Sequence, residues 1–393
     1  MSKIRGQAPI AIIGAGFMAK AHSMAYATMP MFFWPAPAQP VRELLIDVNE
    51  ESAADAAARY GWNRSGTDWR AAIEDPSIDV IDIATPNHLH AEIAIAALQA
   101  GKHVISEKPL ARGAEEAKAV YEAAQASNRT TMVAFNYRRT PAITYAKKLI
   151  DEGRIGKILN FRGTYLQDWS ASPDSPLSWR FRKDIAGSGA LGDIGTHVVD
   201  IARYLVDEIS AVSAQARTWI PERPVPSGTV DKLGAGGDAN APKETVDVDD
   251  EVMTMLRFDN DAIGSIESTR NGWGRNNFLT FEIHGTEGSI TFDYEKRDQL
   301  QVVFASDDPA ERGFRTIYTG PAHPNGEALW PIPALGIGYG ETKIIEAHDL
   351  FQAIVNGTPA SPNFADGYQI EKIADAILES SESGQWVTVE GLQ

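Results

Sequence analysis

Residues 10–19 read Ile-Ala-Ile-Ile-Gly-Ala-Gly-Phe-Met-Ala, and this stretch decides the fold. An apolar run typical of a buried strand breaks at two glycines, and a helix-forming segment follows. Gly14 allows a sharp turn, Gly16 lets a diphosphate approach the backbone, and Ala19 is small enough for close packing of helix on strand. Amides at the helix start would face the phosphates, assisted by the helix dipole. The stretch therefore predicts dinucleotide binding.

Composition sets the class of protein. The chain has 393 residues with 43% apolar and 23% charged content, which is typical of a globular protein of two or three domains. A net charge of −17 argues against nucleic acid and anionic membranes as partners. The absence of cysteine excludes disulfides and thiolate chemistry. No apolar run is long enough to cross a bilayer and no signal-peptide pattern is present, so we expect a cytoplasmic protein.

Strand and helix signals alternate through residues 10–135, which predicts a parallel sheet covered by helices. A first helix is expected over Met18–Met29. The segment Pro30–Pro40 holds four prolines and should interrupt regular structure, either as a surface insertion or as a lip over a ligand. The next strand, Val41–Val48, carries Asp47, whose carboxylate would accept hydrogen bonds from the adenosine ribose and repel a 2′-phosphate. NAD is therefore favoured over NADP, although Asp47 comes later than usual because of the insertion.

Three further strands end in polar residues that would line the same crevice, because ligands bind at the carboxyl ends of such strands. The first strand, Asp79–Ala84, precedes Thr85 and Asn87. His88 and His90 follow, and without neighbouring Cys or acidic ligands they are interpreted as structural rather than metal-binding. The other two strands, Lys102–Ser106 and Thr131–Asn136, lead into the segments Glu107-Lys108-Pro109 and Tyr137-Arg138-Arg139.

From about residue 155 the pattern changes to alternating apolar and polar runs separated by Gly and Asp turns, which predicts a mostly antiparallel sheet. The runs are Ile158–Gln167, Ala211–Ile220, Val252–Phe258, Ala262–Thr269, Phe278–His284, Ser289–Tyr294, Leu300–Ala305 and Arg315–Thr319. Pro221–Ala241 is expected to be a long loop, and residues 342–357 and 366–381 to be helices. We therefore expect two domains, a dinucleotide-binding domain at 1–135 and an α+β domain at 136–393.

Residues 186–201 of the second domain combine a glycine-rich loop with the start of a helix. Asp193 and His197 are four residues apart and would share one helix face, while Ile194, Val198 and Ile201 would face the sheet. A histidine beside a carboxylate can act as a general base near neutral pH. An ordinary polar pair on a solvated face is the alternative.

Four motifs in this order resemble the glucose-fructose oxidoreductase / inositol dehydrogenase / MocA family. They are residues 14–19, Ala84-Thr85-Pro86-Asn87, Glu107-Lys108-Pro109 and Gly192-Asp193-Ile194-Gly195-Thr196-His197. The resemblance implies a Rossmann domain, NAD as cofactor, and a second domain with a large open sheet through which subunits pair into a homo-oligomer, a dimer or tetramer. It also implies that the catalytic residues are Lys108, Asp193 and His197.

The resemblance further implies binding residues on both domains. The expected cofactor-binding residues are Gly14, Gly16, Phe17, Met18, Asp47, Thr85, Asn87, Glu107, Lys108, Asn136, Trp179 and Arg180. The expected substrate-binding residues are Lys108, Tyr137, Arg138, Tyr165, Gln167, Asp193 and His197, with Trp179 beside them and no metal. The insertion at 30–40, together with residues 165–169 and 179–180, is most similar to family members that oxidise the C3 hydroxyl of a 1,6-anhydro sugar.

The expected reaction moves a hydride from a sugar carbon to NAD while a base removes the hydroxyl proton. His197 is the expected base and Lys108 the cation that stabilises the oxygen, with Asp193 orienting the sugar. Lys108 could instead be the base if burial lowers its pKa. The alternatives are a glycosidase that retains NAD, another sugar or inositol dehydrogenase, and a non-catalytic nucleotide sensor. The last is least favoured, because a sensor needs no proton acceptor.

Overall fold

The computed structural model describes residues 6–226, 238 and 240–392. The chain divides into two compact units. The first unit comprises the described residues up to Arg139 together with Ile337–Tyr368, and the second comprises Thr140–Gly336 with the residues from Gln369 onward. The sequence predicts one boundary after residue 135, whereas the structure returns a late segment to the first unit.

Helices of the described residues are α1 Phe17–Phe32, α2 Glu50–Tyr60, α3 Trp69–Glu74, α4 His90–Gln99, α5 Ala114–Ser127, α6 Pro141–Asp151, α7 Lys183–Ala186, α8 Thr196–Leu205, α9 Gly326–Leu329, α10 Tyr339–Asn356 and α11 Phe364–Ser383. Strands of the first unit are β1 Gln7–Ile13, β2 Gln39–Ile46, β3 Arg64–Gly66, β4 Val80–Ile83, β5 His103–Ser106 and β6 Thr131–Val133. Strands of the second are β7 Ile158–Leu166, β8 Ile209–Arg217, β9 Glu222–Pro224, β10 Lys243–Thr245, β11 Glu251–Phe258, β12 Ile263–Thr269, β13 Phe278–Gly285, β14 Gly288–Asp293, β15 Gln299–Phe304, β16 Arg315–Tyr318 and β17 Val387–Thr388.

The first unit is built on a six-stranded parallel sheet in the order β3-β2-β1-β4-β5-β6. The chain moves outward from β1 to β3 and then restarts at β4 on the other side of β1. This reversal opens a crevice at the carboxyl ends of β1 and β4, where α/β sheets bind ligands. The predicted doubly wound α/β fold is therefore confirmed.

Helix α10 belongs to the first unit because its apolar face completes the core of that unit. Ile344, Leu350 and Phe351 are buried with Tyr26 and Met29 of α1. The aromatic rings of Tyr26 and Phe351 meet edge to face with centroids 6.1 Å apart. The sequence predicts α10 as a helix but gives no signal that it packs against α1 of the first unit.

The expectation that Pro30–Pro40 lacks regular structure is wrong at both ends. Helix α1 continues through Pro30 to Phe32, because this proline lies in the last turn, and the Phe33 N–H still bonds the Met29 carbonyl at 2.9 Å. Strand β2 includes Pro40, which pairs with Ala8 of β1. Strand β3 pairs with β2 only from Leu44 onward, so the missing N–H of Pro40 breaks no ladder bond there.

The second unit contains a nine-stranded sheet in the order β16-β15-β14-β13-β7-β12-β11-β8-β17. Within this sheet, β7 and β12 are the only described neighbours that pair in parallel, so the predicted mostly antiparallel open sheet is confirmed. Part of the expected loop Pro221–Ala241 is wrong, because Glu222–Pro224 forms a two-stranded sheet with Lys243–Thr245. Most of that loop lies outside the described residues. No helix in the described ranges combines the length and apolar character needed to cross a membrane.

Candidate functional site

The turn after β1 has the backbone geometry that dinucleotide binding requires. Gly14 has φ +112° and a Cβ there would lie 2.4 Å from the Ala84 carbonyl oxygen, so a side chain is excluded. A Cβ on Gly16 would meet no described atom within 4 Å, which leaves open space beside the backbone at the start of α1. Phe17 is 66% exposed and Met18 is half-buried. The turn therefore fits a diphosphate.

The carboxylate of Asp47 lies against the same turn. Its Oδ2 accepts the Ala15 N–H at 3.0 Å and its Oδ1 accepts the Asn49 N–H at 3.2 Å. An acidic side chain at the end of β2 and in contact with the glycine turn fits a ribose that carries a free 2′-hydroxyl. A 2′-phosphate would meet a like charge, so this half of the site fits NAD.

The loops after β4 and β5 are joined by His90. This buried side chain has Nδ1 2.7 Å from the Pro109 carbonyl oxygen and Nε2 2.9 Å from the Thr85 carbonyl oxygen. Burial lowers the pKa of His90 despite these contacts. Asn87, one turn earlier, is also buried. The histidine thus has a structural position between the two predicted ligand-binding loops.

Glu107 turns its carboxylate toward the protein interior. It is 5% exposed, and its Oε1 accepts hydrogen bonds from Lys343 Nζ at 2.8 Å and His22 Nε2 at 3.0 Å. Its Oε2 accepts the backbone N–H of Lys108 at 3.2 Å. Burial alone would raise the pKa of Glu107, but the Lys343 and His22 cations outweigh burial and hold it well below the ordinary value. Glu107 is therefore an anion tied to the Lys108 backbone.

The segment after β6 is held by residues of the late helix α10 and the loop that follows it. Asn136 Nδ2 donates to Thr342 Oγ1 at 2.7 Å, and Arg138 Nη1 donates to Ser361 Oγ at 3.3 Å. The Tyr137 ring packs edge to face on Tyr339, with centroids 6.1 Å apart.

Tyr339 links the predicted cofactor-binding and substrate-binding residues of the first unit. Its ring lies 5.9 Å from Phe17, and its hydroxyl lies 3.5 Å from the Met18 sulfur. Sequence reasoning missed Tyr339, because nothing in its local sequence separates it from an ordinary first-turn helix residue.

In the second unit, Asp193 lies in a π-helical turn, Leu191–Gly195, that leads into α8. Such turns are frequent at functional sites. The carboxylate is 23% exposed, and its Oδ2 lies 3.4 Å from Arg270 Nη1 and 4.0 Å from Arg180 Nε. Asp193 is therefore flanked by two guanidinium groups, of which sequence reasoning found only Arg180.

Arg270 follows β12 and is fully buried. Its guanidinium lies 5.2 Å from the Trp169 ring centroid and 5.0 Å from that of Phe181, so aromatic faces solvate the cation. The Arg180 guanidinium stacks over Trp179 at 4.4 Å. Burial lowers the pKa of Arg180, although the Asp193 carboxylate opposes that effect.

His197 lies in the first turn of α8 and is 5% exposed. Its ring centroid is 6.0 Å from that of Tyr165 on β7. The Tyr165 hydroxyl donates to Asn277 Oδ1 at 2.6 Å, and Gln167 Nε2 donates to the same oxygen at 2.9 Å. The structure thus brings three predicted residues together and adds Asn277, which sequence reasoning missed.

Asp249 fixes the glycine-rich loop that precedes Asp193. Its Oδ1 accepts the Gly189 N–H at 2.6 Å and its Oδ2 accepts the Leu191 N–H at 2.8 Å. A Cβ on Gly189 would lie 1.8 Å from the Asp249 carbonyl oxygen, so the loop needs glycine there. No local sequence signal connects Asp249 to residues this far upstream.

Each unit thus carries its own group of polar and aromatic side chains. The first has a glycine turn with open space beside Gly16, the Asp47 carboxylate against that turn, and Lys108 with its N–H bonded to Glu107. The second has an imidazole near a phenol and an amide, together with a carboxylate held between guanidinium groups. Hydroxyl-rich ligands are recognised by such polar and aromatic groups.

Comparison with known proteins agrees with this description. The family model for the oxidoreductase family with NAD-binding Rossmann fold matches residues 9–135, and the GFO/IDH/MocA C-terminal domain matches residues 143–291. Levoglucosan dehydrogenase of Pseudarthrobacter phenanthrenivorans is 68% identical over 380 residues, which cover 97% of this chain and 97% of that protein.

Two solved structures are similar over nearly the whole chain. Levoglucosan dehydrogenase in complex with NADH is 66% identical, with a TM-score of 0.94 over 98% of this chain and 100% of that one. Levoglucosan dehydrogenase in complex with NADH and levoglucosan is 65% identical, with a TM-score of 0.93 over the same shares. These matches confirm the resemblance seen in the four motifs, and the chain belongs to the GFO/IDH/MocA family of NAD-binding oxidoreductases.

Proposed function

We propose that this chain, an NAD-dependent oxidoreductase acting on a sugar hydroxyl, oxidises the C3 hydroxyl of levoglucosan or of a closely related anhydro sugar. The observation that carries the proposal is 68% identity to a levoglucosan dehydrogenase over 97% of both chains. Polar and aromatic side chains around His197 suit a small, uncharged ligand rich in hydroxyls.

In this proposal NAD is held by residues of the turn after β1 and of the loops that follow the other strands. The diphosphate faces Gly14, Gly16, Phe17 and Met18, and the adenosine ribose meets Asp47. Thr85, Asn87, Glu107, Lys108, Asn136, Trp179 and Arg180 complete the proposed cofactor-binding set. Bound NAD supplies a nicotinamide that accepts a hydride.

The catalytic roles are proposed for three residues. His197 takes the proton of the reacting hydroxyl, as a positioned imidazole can near neutral pH. Lys108 stabilises the negative charge that develops on the same oxygen. Asp193 accepts a hydrogen bond from a sugar hydroxyl, and Arg270 and Arg180 hold its carboxylate in place. Tyr137, Arg138, Tyr165 and Gln167 orient the sugar.

A substrate panel tests the proposed function. Purified protein is given levoglucosan, glucose, xylose or inositols with NAD or NADP, and reduced nicotinamide is followed by absorbance. We expect release of NADH with levoglucosan, and NMR of the product should locate the ketone at C3. Cleavage of glycosides without NADH release would indicate a glycosidase that retains NAD, and faster turnover of inositols would indicate an inositol dehydrogenase. Nucleotide binding without turnover of any sugar would indicate a sensor.

We also propose that the chain forms a homo-oligomer through the open face of its nine-stranded sheet. Met253 and Met255 of β11 and Ile263 of β12 are each more than half exposed on that face. Exposed apolar residues of this size are typical of interaction surfaces. The register places Met255 opposite Ser265 and Met253 opposite Glu267, so apolar side chains alternate with polar ones.

Light scattering with size-exclusion chromatography tests this assembly. The mass of the wild-type protein in solution should be at least twice the 42.7 kDa of one chain, and Met255→Glu should lower that mass. A charged residue in place of the exposed Trp273, which lies outside β11 and β12, serves as the control.

We also propose that the enzyme is located in the cytoplasm, because the reaction depends on a pool of free NAD. Cell fractionation would test this location.

A further inference from the structure

Five charged side chains form an almost solvent-free group beneath the Glu107-Lys108 segment. We call His22, Asp82, Glu107, Lys343 and Glu346 the buried charge cluster. Each of them is at most 5% exposed. Isolated buried charges are costly, so a group of this size is retained only where the charges pair and their hydrogen bonds are satisfied.

The contacts within the buried charge cluster pair every anion with a cation. Lys343 Nζ donates to Glu107 Oε1 at 2.8 Å and to Glu346 Oε2 at 2.9 Å. His22 Nδ1 lies 2.8 Å from Asp82 Oδ2, and its Nε2 lies 3.0 Å from Glu107 Oε1. The Tyr26 hydroxyl donates to Asp82 at 2.7 Å, and Arg139 Nη1 lies 3.4 Å from Glu346 Oε1.

Lys343 is central to this arrangement because its ammonium separates two carboxylates. Burial alone would lower the pKa of Lys343, but Glu107 and Glu346 outweigh burial and raise it, so the side chain stays charged. Without that ammonium, Glu107 and Glu346 would share His22 and Arg139 as their remaining cations. Like charges in a buried site repel strongly, so Glu107 would move or take up a proton.

Glu107 connects the buried charge cluster to the proposed catalytic lysine through the backbone. Its Oε2 accepts the Lys108 N–H at 3.2 Å, while its own N–H extends the sheet by bonding Ile83 O at 2.8 Å. Both hydrogen bonds hold the chain on the N-terminal side of the Lys108 Cα. Any shift of the Glu107 carboxylate is transmitted to Lys108 over a single peptide unit.

We propose that Lys343 is a positioning residue that fixes Lys108 through Glu107, although it is too deeply buried to touch sugar or cofactor. The functional part of this inference rests on the dehydrogenase activity proposed above. Lys343 belongs to α10, far along the chain from the dinucleotide-binding motifs. The late helix therefore contributes to the geometry of the predicted catalytic lysine as well as to the core.

Two variants separate positioning from general loss of stability. Lys343→Met removes the ammonium and keeps an unbranched apolar chain. Lys102→Met removes another buried lysine of the same unit, whose Nζ donates to the carbonyls of Asp75 and Ile78 at 2.8 and 2.7 Å. Lys102 precedes β5, whereas Lys108 follows it, so the control removes a buried ammonium without touching the Glu107 contact.

The first readout is independent of activity. Hydrogen–deuterium exchange with residue-level mass spectrometry should show the Lys108 amide exchanging roughly tenfold faster in Lys343→Met, because its acceptor is no longer held. The Lys102→Met variant should leave that amide unchanged. Equal protection of the Lys108 amide in wild type and in folded Lys343→Met would overturn the inference. If Lys343→Met does not fold, Lys343→Gln, which keeps a hydrogen-bond donor, takes its place.

The second readout is kinetic. Misplacement of Lys108 should lower kcat by roughly 10- to 100-fold. The KM for NAD should change little, and the deuterium isotope effect with levoglucosan labelled at C3 should increase because the chemical step becomes limiting. A merely destabilised enzyme would show fewer active molecules and an unchanged isotope effect. Inactivity of the wild type on every sugar would refute the dehydrogenase proposal, and the exchange result would then decide the positioning inference alone.

Discussion

Arg270 Nη1 lies 3.4 Å from Asp193 Oδ2, and the arginine is fully buried while the aspartate is 23% exposed. One partner of this pair therefore faces the interior and the other keeps an accessible edge. A carboxylate held in this way is oriented and still able to accept a hydrogen bond from a ligand.

Arg270→Met should lower kcat/KM for the sugar by roughly 30-fold or more, because the substitution removes the nearer guanidinium and leaves Asp193 beside the more distant Arg180. The KM for NAD should change little. The matched control is Arg223→Met. Arg223 is equally buried, and its guanidinium lies 4.3 Å from the centroid of the same Phe181 ring, but it does not contact Asp193. Similar losses of sugar turnover in both variants would mean that stability, and not Asp193, accounts for the effect.

Asp47→Asn should weaken the preference for NAD over NADP by at least about tenfold, because the substitution removes the charge that repels a 2′-phosphate. Asparagine keeps an oxygen that can accept the Ala15 N–H, so the turn should retain its geometry. The ratio of kcat/KM for the two cofactors measures the change. A wild-type enzyme that prefers NADP would contradict the assignment of Asp47.

Lys108→Met and His197→Gln should each lower turnover by roughly 100-fold or more, in line with the loss of a general base or of electrostatic stabilisation. Because groups that act on one oxygen are not independent, the double variant should lose less than the product of the two single effects. The pH dependence of kcat/KM identifies the base, since the acidic limb should disappear in the variant that lacks it. Losses below tenfold in both single variants would refute the catalytic assignment.

The free energy of unfolding should fall as pH rises from about 6.5 to about 9. Burial alone would lower the pKa of His22, but Asp82 and Glu107 outweigh burial and the opposing charge of Lys343, and raise it to about 9. A histidine whose pKa is higher in the folded state stabilises the protein fully below its unfolded value of about 6.5, and that contribution is lost on the way to about 9. The change should be roughly 2–4 kcal/mol.

Denaturant unfolding at several pH values measures this slope, and His22→Gln should flatten it. The buried histidines His90 and His103 do not contribute in that range, because burial lowers the pKa of His90 and lowers that of His103 to about 4. Both side chains are neutral above pH 6.5. Because their pKa is lowered in the folded state, they lower the free energy of unfolding only when the pH falls below that value. An unchanged slope in His22→Gln would contradict the charged state of the buried charge cluster.

Local sequence patterns were sufficient for the parallel sheet and for most strands of the second unit. The glycine turn at Gly14, the apolar strands and the alternation in β11 and β12 are all encoded within a few residues of one another. Strand β3 is not predicted, because three residues are too few to show the alternation of apolar and polar side chains that marks a strand. The sequence predicts that the first helix ends before Pro30, but a proline in the last turn of a helix disrupts few hydrogen bonds, and α1 continues to Phe32.

Partners distant in sequence could not be predicted. Asp249 caps a loop 60 residues upstream, and Arg270 reaches Asp193 from the end of another strand. Lys343 meets Glu107 across 236 positions. Burying such charged residues depends on tertiary pairing, and a single sequence gives no signal for which anion a lysine will meet.

The return of residues 337–368 to the nucleotide-binding unit limits how this enzyme can be divided or recombined. A fragment that stops at Arg139 would expose the apolar surfaces of α1 that Ile344 and Phe351 cover. It would also lack the Lys343 ammonium, which would leave Glu107 and Asp82 with His22 as their nearest cation. Chimaeras that exchange cofactor preference between relatives should therefore transplant both chain segments as one cassette.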